Sequence, residues 1–600
     1  MQRSPISGPL TLKQPDIPDS NSLSFCSDVS QGGTDSAITE GSVSAKPLKV
    51  GLLIDSTIQP RWRGKIIEDI LSSSFATLTL IIKNECAEEA KENWIRRASN
   101  VIRQRQHFFY KIYTRLDDLI FRTEQDAFAN EDIQAYISGC PVLKVKPFQK
   151  GFSDYFSEPE IAAIRDYKLD VALRFGFRVL RGDALKIAKY GVWSYHHGDN
   201  NSYRGGPPGF WEVMEGNPGT GAILQILTEE LDNGKVIYRS IAPTDSCSVR
   251  RNKNNYYGQA TEFVSRKLRH LHQLGPQAIQ DDPAEPEWKP YSRQLYKAPS
   301  NWEMAKCLGA LAKRYLAFKK SRWLSREQWI LAYKLNSDPT AVDDTYYKFK
   351  QLIPPKDRFW ADPFPVKDNG KYYIFVEEYI YKTRKGHISV LEVDKKGISG
   401  GPRKVLEAGH HLSYPFVFSW NGNRYMIPES AAARSIELYR CISFPDQWMR
   451  EKVLMEDVYA VDTTVRPIGD LWWMFTALKV AGTLNVFELH LFYSDTPLGP
   501  WQAHQRNPVK TDIRSLRPAG NLFCRNGDLY RPAQDCSHLY GYAIAINRIN
   551  RLDTQHFEEV EMSRIWPKWA KNIERTHTIN SAEGLTVIDG LMLRRKYRAN

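Results

Sequence analysis

The stretch from Leu169 to Ile241 constrains this chain most, because short apolar runs, glycine stops and a polar loop bearing histidine follow one another in a fixed order. Val171 to Phe175 is too short for a stable helix and ends on Gly176, so it reads as a buried strand. A short amphipathic helix follows, with Leu180, Ala184, Leu185 and Ile187 on its apolar side. A second strand, Gly191 to Tyr195, delivers His196 and His197 into a loop rich in Gly, Asn and Asp. That loop passes through Tyr203-Arg204-Gly205-Gly206-Pro207 into a helix around Phe210 to Met214. Two more strands, near Ala222–Leu227 and Val236–Ile241, flank the turn Leu231-Asp232-Asn233-Gly234. Open α/β sheets place their sites at the carboxyl ends of strands, and His196 stands at such an end.

These residues carry a resemblance. Gly191-Val192, His196, Tyr203-Arg204-Gly205, Trp211 and the Leu231-Asp232-Asn233-Gly234 turn stand at the offsets of the formyltransferase family, whose donor is 10-formyltetrahydrofolate. The resemblance implies a Rossmann-type α/β open sheet. It also implies that His196 bonds the formyl oxygen and helps move the proton of the attacking amine, a task for which histidine titrates in the right range. Asp232 then orients His196 and holds a water that relays the proton. Phe175-Gly176-Phe177 falls on the wall of the family's folate pocket; on general grounds its two rings serve equally well as core. Two positions depart from the pattern. Ser194 replaces the asparagine that donates to the developing oxyanion, and Gly198 replaces a serine. Loss of one such donor costs ~10²–10³ in rate. Either Ser194 compensates, with His197 or Asn200 as a second donor, or the chemistry is altered or lost. His197 has no family counterpart and reads as an ordinary loop histidine.

At 600 residues the chain exceeds one core and divides into domains. Residues 1–45 are rich in Ser, Gly, Asp, Thr and Pro and are expected to be disordered. Residues 46–275 form the α/β domain. It opens with the strand Lys49 to Asp55, a helix near Lys65–Ser73 and a strand through Thr77–Ile82, and it contains no GxGxxG run that would signal a dinucleotide. Residues 95–130 read as helical. The segment from Asp245 to Gly275 becomes an amphipathic helix with Phe263, Leu268 and Leu271 inward. Residues 276–325 are a proline-rich linker followed by a basic helix, Trp302 to Lys320, which is expected to pack between domains rather than to hold a membrane. Net charge is +13, from 82 basic against 69 acidic side chains. That suits an anionic small ligand, and no basic block interleaved with aromatics points to nucleic acid. Eight cysteines lie scattered without metal or disulfide spacing, no run is apolar enough to span a bilayer, and no signal peptide is seen. A cytoplasmic protein without a resident metal is expected.

From residue 326 to 600 the texture changes to short alternating strands dense in Tyr, Trp, Phe, Val and Ile, separated by turns such as Asp368-Asn369-Gly370 and Asn421-Gly422-Asn423. A looser repeat of about fifty residues, the scale of a propeller blade, overlies them. Its phrases include Trp360-Ala361-Asp362-Pro363-Phe364, Ser413-Tyr414-Pro415-Phe416, Val461-Asp462-Thr463-Thr464, Leu516-Arg517-Pro518-Ala519-Gly520 and Thr576-His577-Thr578-Ile579-Asn580. Five phrases predict an all-β five-bladed propeller with those residues toward a central channel. This half resembles the propellers of furanosidase-type glycoside hydrolases and, more closely, the N-terminal region of plant glucosamine inositolphosphorylceramide transferases. The first resemblance places Asp362 at an inverting base, with Glu429 and Asp462 as further carboxylates, and the repeat sets Arg517 and His577 toward the channel. The alternative is that these are structural or glycan-contacting groups. The combined expectation is formyl transfer from 10-formyltetrahydrofolate to the amine of a nucleotide- or glycan-linked amino sugar, in polysaccharide or related biosynthesis. Its rivals are a hydrolase or glycosyltransferase acting through the propeller, and a carbohydrate-binding protein with a degenerate formyltransferase site.

Overall fold

The computed structural model describes residues 46–86, 105–123, 126–229, 234–280, 295–335, 345–394, 397–398 and 400–596. The expected disordered tail, Asp232 and most of the proline-rich linker lie outside them. The chain divides into two compact units. One takes the described residues up to Tyr315 together with Ala481–Val486, and the other takes Leu316–Val480 and the chain from Phe487 onward.

In the first unit, seven strands form one mixed sheet: β1 (Leu48–Ile54), β2 (Ala76–Asn84), β3 (Val142–Val145), β4 (Val171–Arg174), β5 (Val192–His196), β6 (Gly219–Ile226) and β7 (Lys235–Pro243). Their order is β7-β6-β5-β4-β1-β2-β3. The pairs from β5 through β3 are parallel, and β6 and β7 add antiparallel at one edge. The apolar run of β1 follows from that position, since a central parallel strand is covered on both faces. Helix α1 (Arg61–Leu71) buries Trp62, Ile66, Ile67 and Ile70, a helical spacing. Leu53, Leu80 and Ile82 share a core with Ile161 and Ile164 of another helix, α2 (Glu158–Arg165). Helix α3 (Phe210–Glu215) follows the histidine loop, and the long helix α4 (Val249–Leu274) buries Phe263, Leu268 and Leu271 as the pattern predicts. The short helix expected over Leu180–Ile187 is a single 3₁₀ turn, Gly182–Lys186, because so few residues cannot repay helix nucleation. Helix α5 (Asn301–Leu324) covers the expected basic helix and, among the described residues, buries only Met304. No described helix is long and apolar enough to cross a membrane.

Among the described residues, the second unit consists of five antiparallel sheets of four or five strands. Its first sheet joins Ser325–Leu335 to the last strand of the chain, Leu585–Arg595, in unbroken register from Ser325 opposite Arg595 to Leu335 opposite Leu585. The other four sheets each use consecutive stretches of chain. They begin at Arg358–Asp368, Ser413–Trp420, Ala460–Ile468 and Arg517–Pro518. Shared apolar clusters pack the first sheet on the second (Leu331, Val587, Ile374), the second on the third (Phe375, Val417) and the third on the fourth (Ile427, Val465). Phe475 meets Phe557 between the fourth and fifth, and Ile544 and Ile588 join the fifth back to the first. Three of the repeated phrases share one backbone device. Asp362, Tyr414 and Asp462 have φ of +51°, +53° and +56°, and each sits where the register of its strand shifts. Such bulges re-aim side chains out of the ladder.

Gly176 shows how closely β4 approaches β1 where β4 ends. The amides of Phe175 and Gly176 both donate to the carbonyl of Leu53 at 2.9 Å. A Cβ on Gly176 would strike the backbone of Asp55 and lie 2.6 Å from the carbonyl carbon of Ile54. Gly176→Ala is therefore expected to destabilise the α/β unit by about 1–3 kcal/mol through overpacking, read as a lowered midpoint in chemical denaturation.

Candidate functional site

Ser194 and His196 are two residues apart on β5, so they face the same side of the sheet. His196 is half-buried, and its Nε2 lies 3.4 Å from the carbonyl of Tyr203. Gly198 has a steric reason to be glycine here: a Cβ would sit 2.9 Å from the Tyr203 carbonyl and 3.3 Å from His196 Nε2. The loop then turns back, with Arg204 Nε donating to the carbonyl of Asn200 at 2.7 Å. Arg239 binds Asp199 at 3.0 Å and Asn200 Oδ1 at 3.3 Å, tying β7 to the loop.

The Tyr203-Arg204-Gly205 element is pinned from outside. Tyr296 donates its amide to the Arg204 carbonyl at 2.9 Å and accepts from Gly206 at 3.0 Å. Gly205, at φ +97°, abuts the same tyrosine so closely that any side chain would collide with its carbonyl. The Tyr203 hydroxyl donates to Glu215 at 2.8 Å, and its ring stacks on Tyr296 at 5.2 Å. Sequence reading does not single out Tyr296, because an aromatic in a proline-rich linker carries no periodic signal.

Two of the groups considered as second donors to the oxyanion have defined surroundings. His197 is half-buried with both ring nitrogens shielded from solvent; it stacks on Tyr257 at 3.6 Å and meets Trp62 edge-on, and desolvation holds its pKa well below the ordinary value. Asn200 gives its carbonyls to Arg204 and Arg239. Ser194 is 2% exposed, and its Oγ accepts from Nε of Arg174 at 3.1 Å. Sequence reading misses Arg174, although a lone charge ending an apolar strand is the signal for it. Phe175 lies against Trp62, under the guanidinium of Arg63 at 5.3 Å. Phe177, at φ +62°, packs in the core against Phe156 and donates its amide to Asp55 at 2.9 Å. Burial lowers the pKa of Arg63 to about 10, and the nearby charge of Arg174 acts in the same direction.

In the β-rich unit the structure gathers Asp362, Asp462, Arg517 and His577 around one fully buried network. Asp362 Oδ1 accepts from Thr578 at 2.7 Å and lies 3.5 Å from His577 Nε2. Burial, then the neighbouring Asp589 and Glu377, push the Asp362 carboxyl well above the usual range. His577 places Nδ1 2.5 Å from Asp589 and stacks on Trp329 at 4.1 Å. Asp462 pairs with Arg517 Nε at 2.5 Å, and its backbone carbonyl accepts from Tyr414 at 2.6 Å. The Arg517 guanidinium stands over the rings of Phe487 and Tyr540. Glu429, also buried, stands opposite Ser413 in the third sheet. Asp589 is the residue that sequence reading misses here, a single acid inside the apolar strand Leu585–Arg595. Where no metal was expected, Asp362, His577 and Asp589 bring three ligand atoms within 4.8 Å of one another, a spacing that can hold a cation. Asp589 Oδ1 already accepts from the amides of His577 and Thr578.

The comparisons with known proteins divide along the same line. The N-terminal region is formyltransferase-like, and methionyl-tRNA formyltransferase of Bacteroides thetaiotaomicron is 32% identical over 99 residues, covering 16% of this chain and 31% of that enzyme. The family described as glucosamine inositolphosphorylceramide transferase 1, N-terminal, matches residues 351–584. Glucosamine inositolphosphorylceramide transferase 1 of Oryza sativa subsp. japonica is 36% identical over 209 residues, covering 34% of this chain and 28% of that protein. The matched stretches thus span less than a third of either relative. Among solved structures, glycinamide ribonucleotide transformylase 1 from Symbiobacterium toebii is similar at TM-score 0.25 and 14% identity, over 38% of this chain and 89% of that one. A thermostable family-43 glycoside hydrolase is similar at TM-score 0.29 and 12% identity, over 36% and 82%.

These environments have measurable consequences. Glu212, beside the histidine loop and 2% exposed, is pushed up from 4.5 to about 7 by burial. A carboxyl held neutral by the fold contributes in full below its unfolded pKa and loses that contribution as pH rises through the folded one. Glu212→Gln should therefore become progressively more stable than the unaltered chain between about pH 5 and pH 8, by up to ~3 kcal/mol in denaturation midpoints. Arg517→Met leaves Asp462 buried without its counter-charge and should cost about 3–5 kcal/mol, seen as a lowered melting transition of the β-rich unit.

Proposed function

We propose that the α/β unit is a formyltransferase that moves the formyl group of 10-formyltetrahydrofolate onto the amine of an amino sugar, nucleotide- or glycan-linked. The observation that carries this reading is the placement of His196 at the carboxyl end of β5, with the pinned Tyr203-Arg204-Gly205 loop against it. Local identity to methionyl-tRNA formyltransferases supports it. In the reaction the amine nitrogen bonds the formyl carbon, the bond from that carbon to N10 breaks, and the proton lost by the amine ends on N10. His196 takes and passes that proton, and Asp232 orients it. In this reading Phe175 and Gly176 serve the pterin, as the resemblance implies, and Tyr203, Arg204 and Gly205 bind substrate or cofactor.

The amino-sugar acceptor is inferred from the other unit, whose relative in rice is named for glucosamine transfer. We read its five sheets as five blades of a propeller that binds carbohydrate, and its central network as structural. Asp362 and Asp462 are fully buried and bonded to their neighbours, whereas an inverting pair must admit water between carboxylates about 6.5–9.5 Å apart.

Purified full-length chain, incubated with 10-formyltetrahydrofolate and a panel of nucleotide-linked amino sugars, should release tetrahydrofolate in an acceptor-dependent way. His196→Ala should lower that rate by about 10²–10⁴-fold. Silence across the panel together with no binding of folate would overturn the reading.

A further inference from the structure

We propose that Arg174 supplies the hydrogen bond that receives the developing charge on the formyl oxygen, and that Ser194 is the residue that positions it. This rests on the formyl-transfer reading and extends it to a residue outside the sequence pattern that suggested that reading.

Parallel pairing of β5 with β4 sets Val192 beside Ala172 and Trp193 beside Leu173. The next step along both strands brings Ser194 beside Arg174, at the carboxyl end of the sheet and on the face that carries His196. Nε of Arg174 donates to Ser194 Oγ at 3.1 Å, and Nη1 donates to the carbonyl of Arg178 at 2.7 Å. Two bonds from different edges fix the plane of a guanidinium, which carries five N–H groups in all. Ser194 is poorly suited to donate to substrate itself. Its side chain is short and buried, its oxygen is committed as an acceptor to Arg174, and its one proton faces the Tyr195 carbonyl at 3.5 Å.

The electrostatics agree with this division of labour. When the amine adds to the formyl carbon, the carbonyl π electrons move onto oxygen; they return as the bond to N10 breaks, and the amine proton goes to N10 through His196. The transient negative charge is on oxygen alone. A fixed cation in a water-poor strand end stabilises such a charge more than a neutral donor does. Arg63, close enough to interact with Arg174, adds to the positive field around Phe175.

Steady-state tetrahydrofolate release, using 10-formyltetrahydrofolate and the most active nucleotide-linked amino sugar, tests this with Arg174→Gln, Arg174→Lys and the double variant Arg174→Gln with Ser194→Asn. Binding of tetrahydrofolate is measured on each by fluorescence. Arg174→Gln should lose ~10²–10³ in kcat while the folate Kd stays within about twofold. Arg174→Lys should fall between, since it keeps the charge but not the fork. The side-chain amide that Ser194→Asn introduces should recover about tenfold or more of the loss, as a restored oxyanion donor. A kcat for Arg174→Gln within about twofold of the unaltered chain would overturn the proposal, as would a loss that tracks folate binding and is not recovered in the double variant. Failure of the unaltered chain to transfer formyl at all would instead overturn the reading on which it rests.

Discussion

The buried pair of Asp462 and Arg517 is the interaction on which the β-rich unit most depends. Neither group can leave water cheaply, so each needs the opposite charge of the other beside it. Asp462 receives the guanidinium across from the fifth sheet and the Tyr414 hydroxyl from the third, which makes it the point where three sheets meet. Asp362 plays the matching part between the second sheet and the first, through Thr578, Asp589 and His577. Both aspartates and Tyr414 reach inward because their strands bulge and turn through a left-handed residue. These buried polar groups are thus placed by a backbone device that three of the sheets share, while apolar clusters join one sheet to the next.

The α/β unit is organised by close backbone approach instead. Gly176, Gly198 and Gly205 each stand where a Cβ would meet a carbonyl or an amide of another segment. These contacts seat the end of β4 on β1, fold the histidine loop back on itself and hold it to Tyr296. The same closeness accounts for the two departures from the formyltransferase pattern. A side chain at Gly198 would press on His196 and on the Tyr203 carbonyl, and Ser194 leaves its oxygen open to Arg174. One departure follows from space, and the other pairs the serine with the charge of Arg174.

Several features are readable without any fold, because they depend on order along the chain. The strands of residues 169–241, the buried face of Val249–Leu274 and the alternation of short strands after residue 326 all have periods that sequence displays directly. The phrases containing Asp362, Tyr414 and Asp462 are visible as a repeat, although their common bulge is not. His197 reads as an ordinary loop histidine, and only the fold shows its ring stacked on Tyr257 and set edge-on to Trp62.

What sequence determined by itself was therefore the class of the strongly periodic elements and the position of His196 at a strand end. Tertiary structure decided the partners. Arg174 and Ser194 are twenty residues apart and meet only because β4 and β5 pair in parallel. Tyr296 reaches the Tyr203-Arg204-Gly205 loop from a segment with no periodicity of its own. Asp589 finds His577 and Asp362 only through the pairing that joins the last strand to Ser325–Leu335 and through the packing of neighbouring sheets. Hydrophobic period reports which face of an element is buried. The meeting of polar side chains depends on register between segments distant in the chain, and a one-residue shift in register would send each of them to the other face.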